Sequence, residues 1–251
     1  MSNPILNKIE KDISKGYASM ERMPADQTPD PTKPTPAVTV DGVTTKLTGL
    51  FLITLLTTYL GYNNPNTTLA VALSIVALIA MIVTSFKPFI ASFTAPLYSL
   101  IQGFVVGTIS VYYEATYDGI VRQALGLTIG IFAALLFLYS KRVIKVTQRA
   151  RAIATTATLG IFLYYITSIL ATAIFNYQMP LIWSTSPIGI AFSLFVAGLA
   201  SYNFLLDFDS IEKAVHTKAD QRYEWALSLG VLATFIWLYI ELLRLISKLR
   251  R

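Results

Sequence analysis

Ionisable side chains embedded in long apolar runs are the groups in this sequence best placed to do chemistry. They are Lys87, Glu114, Arg122, Asp207, Asp209 and Glu241. A charge at depth in hydrocarbon is costly, so each needs a partner, water or a function. Asp207 and Asp209 close one apolar run as Leu205-Leu206-Asp207-Phe208-Asp209-Ser210. Two positions apart on a helix is a rotation of about 200°, so the two acids cannot share a face. One is expected to point into a bundle while the other meets loop or headgroups. Asp209 and Lys213 are four apart, the acid-first order that favours a local ion pair. Read as chemistry, an acid here stands at the mouth of a pathway, held by a salt bridge or by a cation according to its protonation.

The other candidates carry plainer readings. Glu114, Asp118 and Arg122 cluster between two runs, as an interfacial turn would place them. Glu241 and Arg244 are three apart, the spacing of a pair on one helix face. Gln102, deep in its run beside Gly103, can hydrogen-bond to a neighbouring helix. His216 is the only histidine and reads as exposed. There is no cysteine, which excludes thiol catalysis, disulfides and thiolate-ligated metals. No HExxH, GxSxG, GxGD, P-loop or GxGxxG pattern occurs. Trp225–Ile246 lacks the lysine that a retinal protein carries in its last span. The chain is therefore not expected to be an enzyme, and nothing in it calls for a cofactor.

The elements that must position these residues follow from composition. Of the 251 residues 54% are hydrophobic and 14% charged, against about 25% charged in soluble domains. No charge lies between Thr48 and Phe86 or between Ala152 and Leu206. Apolar runs near 47–62, 67–86, 89–113, 119–140, 152–175, 187–206 and 225–246 approach the roughly 20 residues that a membrane helix needs. The first is short, so it is tilted or begins earlier. Residues 1–46 form a polar cytoplasmic tail and 47–251 the membrane domain. Within the tail, 3–20 can form a weak amphipathic helix, and Pro24–Pro36 reads as an extended linker. The tail has no apolar h-region and is not a signal peptide.

The net charge of +6 does not point to nucleic acid. The tail's charges cancel, and the excess sits in Lys141, Arg142, Lys145, Arg149 and Arg151, between the fourth and fifth runs. Such a segment is expected on the cytoplasmic side, which also puts the N-terminus inside. Arg244, Lys248, Arg250 and Arg251 pull the other way, towards a re-entrant last run, but its length favours a full span. Small residues recur every fourth position: Gly103 and Gly107; Gly126, Gly130 and Ala134; Gly189, Ser193, Ala197 and Ser201. They are expected to pack helix against helix, since such faces let backbones approach closely in lipid.

Several segments then fall into a recognisable order. Asp41-Gly42-Val43-Thr44-Thr45-Lys46 precedes the first run. Ala95-Pro96-Leu97-Tyr98-Ser99-Leu100-Ile101-Gln102-Gly103 and Tyr113-Glu114-Ala115-Thr116-Tyr117-Asp118-Gly119 follow. Leu206-Asp207-Phe208-Asp209-Ser210-Ile211-Glu212, Tyr223-Glu224-Trp225 and Leu238-Tyr239-Ile240-Glu241-Leu242-Leu243-Arg244 complete the set. From about residue 40 onward the chain resembles the bacterial branch of the Bax-inhibitor-1-like (transmembrane Bax inhibitor motif) family.

The resemblance implies an all-α membrane protein: a seven-helix transmembrane bundle with the last helix central and six around it. It also implies a pH-sensitive calcium leak, closed by a pair of aspartates on the last two spans. The first of these matches Asp209. The second falls on Thr234, which cannot ionise, so Asp207 or Glu241 takes its place or the paired sensor is missing. Gln102 stands where many relatives have Glu. Asp209 and Asp207 are thus the expected gate and pH-sensing residues, with Glu241, Lys87, Gln102 and Glu114 as accessory candidates. Lys87, or an arginine of the cytoplasmic side, is the expected closing partner. Expected surroundings are the inner membrane of a bacterium, with the bilayer and calcium as contacts. The alternative is a non-transporting regulator or scaffold that binds other membrane proteins.

Overall fold

The computed structural model describes residues 36–250 except Asn176 and Gln178. The expected tail helix at 3–20 lies outside these residues, as does nearly all of the expected linker. Seven long helices account for most of the described chain: α1 Val40–Asn63, α2 Thr67–Phe86, α3 Ala91–Thr116, α4 Ile120–Ser140, α5 Gln148–Phe175, α6 Pro187–His216 and α7 Tyr223–Leu249. Each is long and apolar enough to cross a membrane. Among the described residues there is no strand, only an isolated bridge between Ala37 and Asp220.

Local chemistry sets the helix ends. The Thr39 side chain caps α1 by accepting from the Gly42 amide at 2.9 Å, so α1 starts seven residues before the apolar run at Leu47. Its first two turns are polar, and hydropathy alone does not reveal them. Asn66 caps α2 after the Asn-Pro turn by accepting from the Leu69 amide. Ser186 caps α6, with Pro187 in the first turn. Both α4 and α6 end in a Schellman turn. Val143 donates to Leu138 O and Arg142 to Tyr139 O after α4, while Ala219 donates to Ala214 O and Lys218 to Val215 O after α6. The left-handed position in each turn is held by a basic residue, Arg142 (φ 56°) and Lys218 (φ 51°).

α7 is the central helix. Of its most apolar stretch 61% is buried, against 17% to 22% for α1, α2, α4 and α5. It packs directly on α1, α3, α4 and α6. The other two stand in a second layer: α2 lies against α3, and α5 lies against α6. The surround is therefore uneven, with four helices lining the centre along their length and α5 reaching it through Tyr165. Leu232, Leu238 and Leu243 of α7 are fully buried, as are Leu50 of α1 and Phe204 of α6. Lipid tails are as apolar as these side chains, so close packing and polar contacts have to hold the bundle together.

The small-residue spacings divide. A Cβ on Gly103 or Gly107 would strike the α1 backbone at Thr54 or Thr58, and one on Gly61 would strike Phe104 of α3. These glycines let α1 and α3 touch backbone to backbone. Gly189, Ser193 and Ala197 are buried along α6. Gly126 and Gly130 behave otherwise, as both are exposed with no atom within reach of an added Cβ. Their spacing shows that the stripe is smooth, and it does not reveal whether a helix lies against it.

The two ends of α7 lie on opposite faces of the bundle. At its start Glu224 meets Lys46 and the Thr39 amide near the beginning of α1. At its end Arg250 donates to the Asp118 carbonyl between α3 and α4, at 2.8 Å. A re-entrant helix would return to the face it entered, so the last run crosses completely. The face that carries Lys141–Arg151 is called the basic face below, and the opposite one the far face.

Candidate functional site

On the basic face the first turn of α5 meets the last turns of α6. Arg151 is the last cation of the basic loop segment, and α5 begins at Gln148, so its guanidinium projects from a helix towards α6. It forms an ion pair with Asp209 Oδ2. The same oxygen accepts from Lys213 Nζ at 2.6 Å, one turn further along α6. Arg151 also lies 3.4 Å from Ser210 Oγ and from the Leu206 carbonyl. Asp209 is thus a carboxylate held by two cations, one from its own helix and one from α5. The Asp209–Lys213 pair matches the sequence expectation. The arginine at its other side is Arg151, which spacing along one helix cannot identify.

A second link lies beside it. Glu212, one turn beyond Asp209, accepts from the Tyr139 hydroxyl at the end of α4. Arg142 and His216 approach the same carboxylate at 3.9 and 3.6 Å. A small cleft of about 190 Å³ opens between these groups, bordered by Tyr139, Lys145, Asp209 and Glu212. Three helix ends, those of α4, α5 and α6, are therefore joined by two carboxylates.

Asp207 points elsewhere, as the 200° rotation requires. Its Oδ2 accepts from the Thr234 hydroxyl of α7 at 2.7 Å, and Gly230, one turn earlier, leaves room for the carboxyl. The position matching the second aspartate of the family pair thus stands opposite Asp207, and Asp209 faces away from it. In this chain the α6–α7 contact is an acid on a neutral hydroxyl.

Glu241 lies near the other end of α7 and is 1% exposed. Arg244 donates to both its oxygens, at 2.8 and 3.0 Å, and Tyr165 of α5 donates to Oε1 at 2.6 Å. The guanidinium also lies over the Tyr165 ring at 4.9 Å. The local pair was legible from spacing, while Tyr165 was not, since nothing in an apolar run marks the residue that faces another helix. Nearby, Lys248 is buried and donates to the Leu181 and Gly189 carbonyls at 3.0 and 2.9 Å.

The remaining candidates are structural or peripheral in position. Glu114 accepts from the Gly119 and Val121 amides at 2.8 and 3.0 Å, so it caps the start of α4, where a negative charge is favoured. Gln102 is half-buried beside Gly103 and makes no side-chain hydrogen bond among the described residues. Lys87 is exposed between α2 and the turn Pro88–Ile90, and no ion pair joins it to an acid among the described residues. The α6–α7 loop is tied down separately: Arg222 lies 2.8 Å from Asp220 and over the Phe89 ring. The hydrogen bonds from Arg222 hold the Asp220 carboxyl below the usual carboxylate range. Among the described residues no three His, Cys, Asp or Glu side chains gather as a metal cage.

A family model described as Bax inhibitor 1 like matches residues 3–251. The chain belongs to the Bax-inhibitor-1-like family. The match covers the polar tail as well as the seven helices, whereas the resemblance in quoted motifs begins near residue 40. No curated protein matches the chain by sequence. In this Bax-inhibitor-1-like bundle the clamp on Asp209 ties the outer helix α5 to α6 by a salt bridge.

Proposed function

We propose that the protein is a pH-sensitive calcium leak channel of the cytoplasmic membrane, with Asp209 as the gate acid. The observation that supports this reading most is the shared Asp209 oxygen, held by Arg151 across the α5–α6 junction and by Lys213 along α6. With Asp209 charged, α5 is drawn against α6 and the mouth is shut. A proton on Asp209 removes the charge that both cations address, and the start of α5 is released. The opened mouth would present Asp209, Glu212 and the Tyr139 oxygen, the hard oxygen donors that calcium prefers. Asp207 on Thr234 would keep α6 docked on α7 meanwhile, so that α5 moves against a fixed core. Calcium is the transported substrate, and no enzymatic step is part of this reading.

The distribution of cations supports the orientation. Lys46, Lys87, Lys141, Arg142, Lys145, Arg149, Arg151, Lys213, Lys218 and Arg222 all belong to the basic face, against Arg122, Arg244, Lys248 and Arg250 on the far face. This excess supports a reading in which the basic face and the N-terminus lie in the cytoplasm. Calcium flux into liposomes tests the reading, measured at acidic and neutral pH for the wild type and Asp209→Asn. The wild type should leak more in acid, and the variant should leak equally at both. Absence of flux from the pure protein, or an unchanged pH response in the variant, would contradict it.

A second reading has one observation in its favour. The exposed stripe of Gly126, Gly130 and Ala134 is smooth enough to receive another membrane helix. A regulator acting through that face would copurify with a partner and lose it on Gly130→Leu, with no flux of its own.

A further inference from the structure

Two helices that flank α7 on the same side do not close over it. α1 and α4 each pack on α7, and between them a cleft of about 710 Å³ remains, within the range of about 300–1,000 Å³ usual for ligand sites. Its walls are Val43, Leu47 and Phe51 from α1 and Phe132 and Leu136 from α4, with Phe208, Ile211 and Val215 of α6 and Val231 of α7 at the back. Phe51, Phe132 and Phe235 pack edge to face at the inner end, with centroids 4.9 and 6.0 Å apart, and block the way further in. The mouth has a different chemistry. Ser140, Arg142, Glu212 and His216 rim it on the basic face.

The length of the cleft is informative. Along α4 it runs from Ser140 in to Phe132, eight residues at 1.5 Å, or about 12 Å. Half of a hydrocarbon core of about 30 Å is slightly more. The cleft therefore begins at headgroup level and ends near the middle of the membrane, as an acyl chain of one leaflet does. Water has little to bind in the apolar part, where the walls are aliphatic and aromatic side chains.

The charge at the mouth selects the headgroup. Arg142 closes α4 with its side chain 80% exposed, and its nearest carboxylate oxygen, on Glu212, is 3.9 Å away, beyond hydrogen-bond reach. Glu212 itself accepts from Tyr139. Ser140 and the exposed His216 add donors around the same opening. With Glu212 engaged by the Tyr139 hydroxyl, Arg142 is the rim cation left to meet an anion.

From this geometry we infer that the α1–α4 cleft is a binding site for an anionic phospholipid of the basic-face leaflet, one acyl chain lying between the helices and the phosphate at Arg142. The site does not depend on calcium conduction. It adjoins the Asp209 clamp, because Tyr139, Arg142 and Glu212 border both clefts.

The test uses the purified full chain in detergent, supplied with equal amounts of phosphatidylglycerol and phosphatidylcholine of identical acyl chains, and native mass spectrometry to count retained lipids. One phosphatidylglycerol should be retained, preferred about fivefold, since a cation near an anionic headgroup contributes about 1 kcal/mol. Arg142→Gln should reduce that preference by about fivefold while a chain is still bound. Leu136→Trp, at an exposed wall position, should fill the cleft and abolish retention of both lipids. Equal retention of the two lipids by the wild type would overturn the proposal. So would undiminished retention in a Leu136→Trp protein with wild-type melting, or retention of added palmitate in place of phospholipid. The wild-type competition decides alone if the tryptophan variant fails to fold.

Discussion

Two of the polar links that fasten α5 to the rest of the bundle are built on opposite principles. At the basic face the link is charge on charge across two helices, Arg151 to Asp209, beside a second cation. About four turns along α5 from Arg151, Tyr165 offers a neutral hydroxyl to Glu241, whose charge is already matched by Arg244 on the same helix. The first link depends on the charge of Asp209. The second keeps its cation and acid together whatever α5 does, because both belong to α7. An outer helix held this way has a releasable end and a fixed end.

Perturbing the fixed end should have the largest effect. Glu241→Leu leaves the Arg244 guanidinium buried without its acid, and such losses cost about 3–5 kcal/mol. Thermal unfolding in detergent should show it, and Glu241→Leu combined with Arg244→Leu should recover most of the loss. If the single variant melts like the wild type, the pair is not a structural anchor.

At the releasable end the cost should be smaller. Arg151→Gln removes one charged hydrogen-bond partner of a mostly buried acid that keeps Lys213, a loss of about 1–2 kcal/mol. Its diagnostic effect is on hydrogen exchange, which should accelerate in the first turns of α5 and stay unchanged around Tyr165. Uniform acceleration along α5 would erase the distinction between the ends.

Between them, Thr234→Val tests whether α6 stays docked on α7 through Asp207. Losing that hydroxyl should cost about 1 kcal/mol and leave the hydrogen exchange of α5 as it is. The smallest effect belongs to the α6–α7 loop. Asp220 has its folded-state pKa lowered by Arg222, so its stabilisation is present above the ordinary carboxylate range and is lost as pH falls through the folded value. Both side chains are well exposed, so Asp220→Asn should cost at most about 0.5 kcal/mol at neutral pH. It should also flatten the acid limb of a melting curve slightly.

The same contrast explains what the sequence reveals and what it hides. Seven crossings are legible because hydropathy is a property of each segment alone, and the basic loop marks one face in the same way. Asp209–Lys213 and Glu241–Arg244 are legible because both partners sit on one helix, where spacing fixes geometry. Arg151, Tyr139 and Tyr165 are not, since each meets its acid across a helix boundary that no periodicity encodes. Gly103 and Gly126 have the same spacing signature, yet one lies against α1 and the other is open, for the same reason. An earlier start of α1 follows from the shortness of its apolar run, but its first residue does not, because Thr39, Asp41 and Lys46 are polar, although Lys46 is held by the buried Glu224 of α7.

The most direct measurement of the central claim is the separation of α5 from α6 at the basic face. The chain has no cysteine, so spin labels at Arg149→Cys and Lys218→Cys, both exposed, report that distance without background. The account predicts a distribution that is narrow at neutral pH, shifts to longer distances in acid, and is long at both pH values in the Asp209→Asn background. A distribution that stays the same with pH and with Asp209→Asn would contradict it.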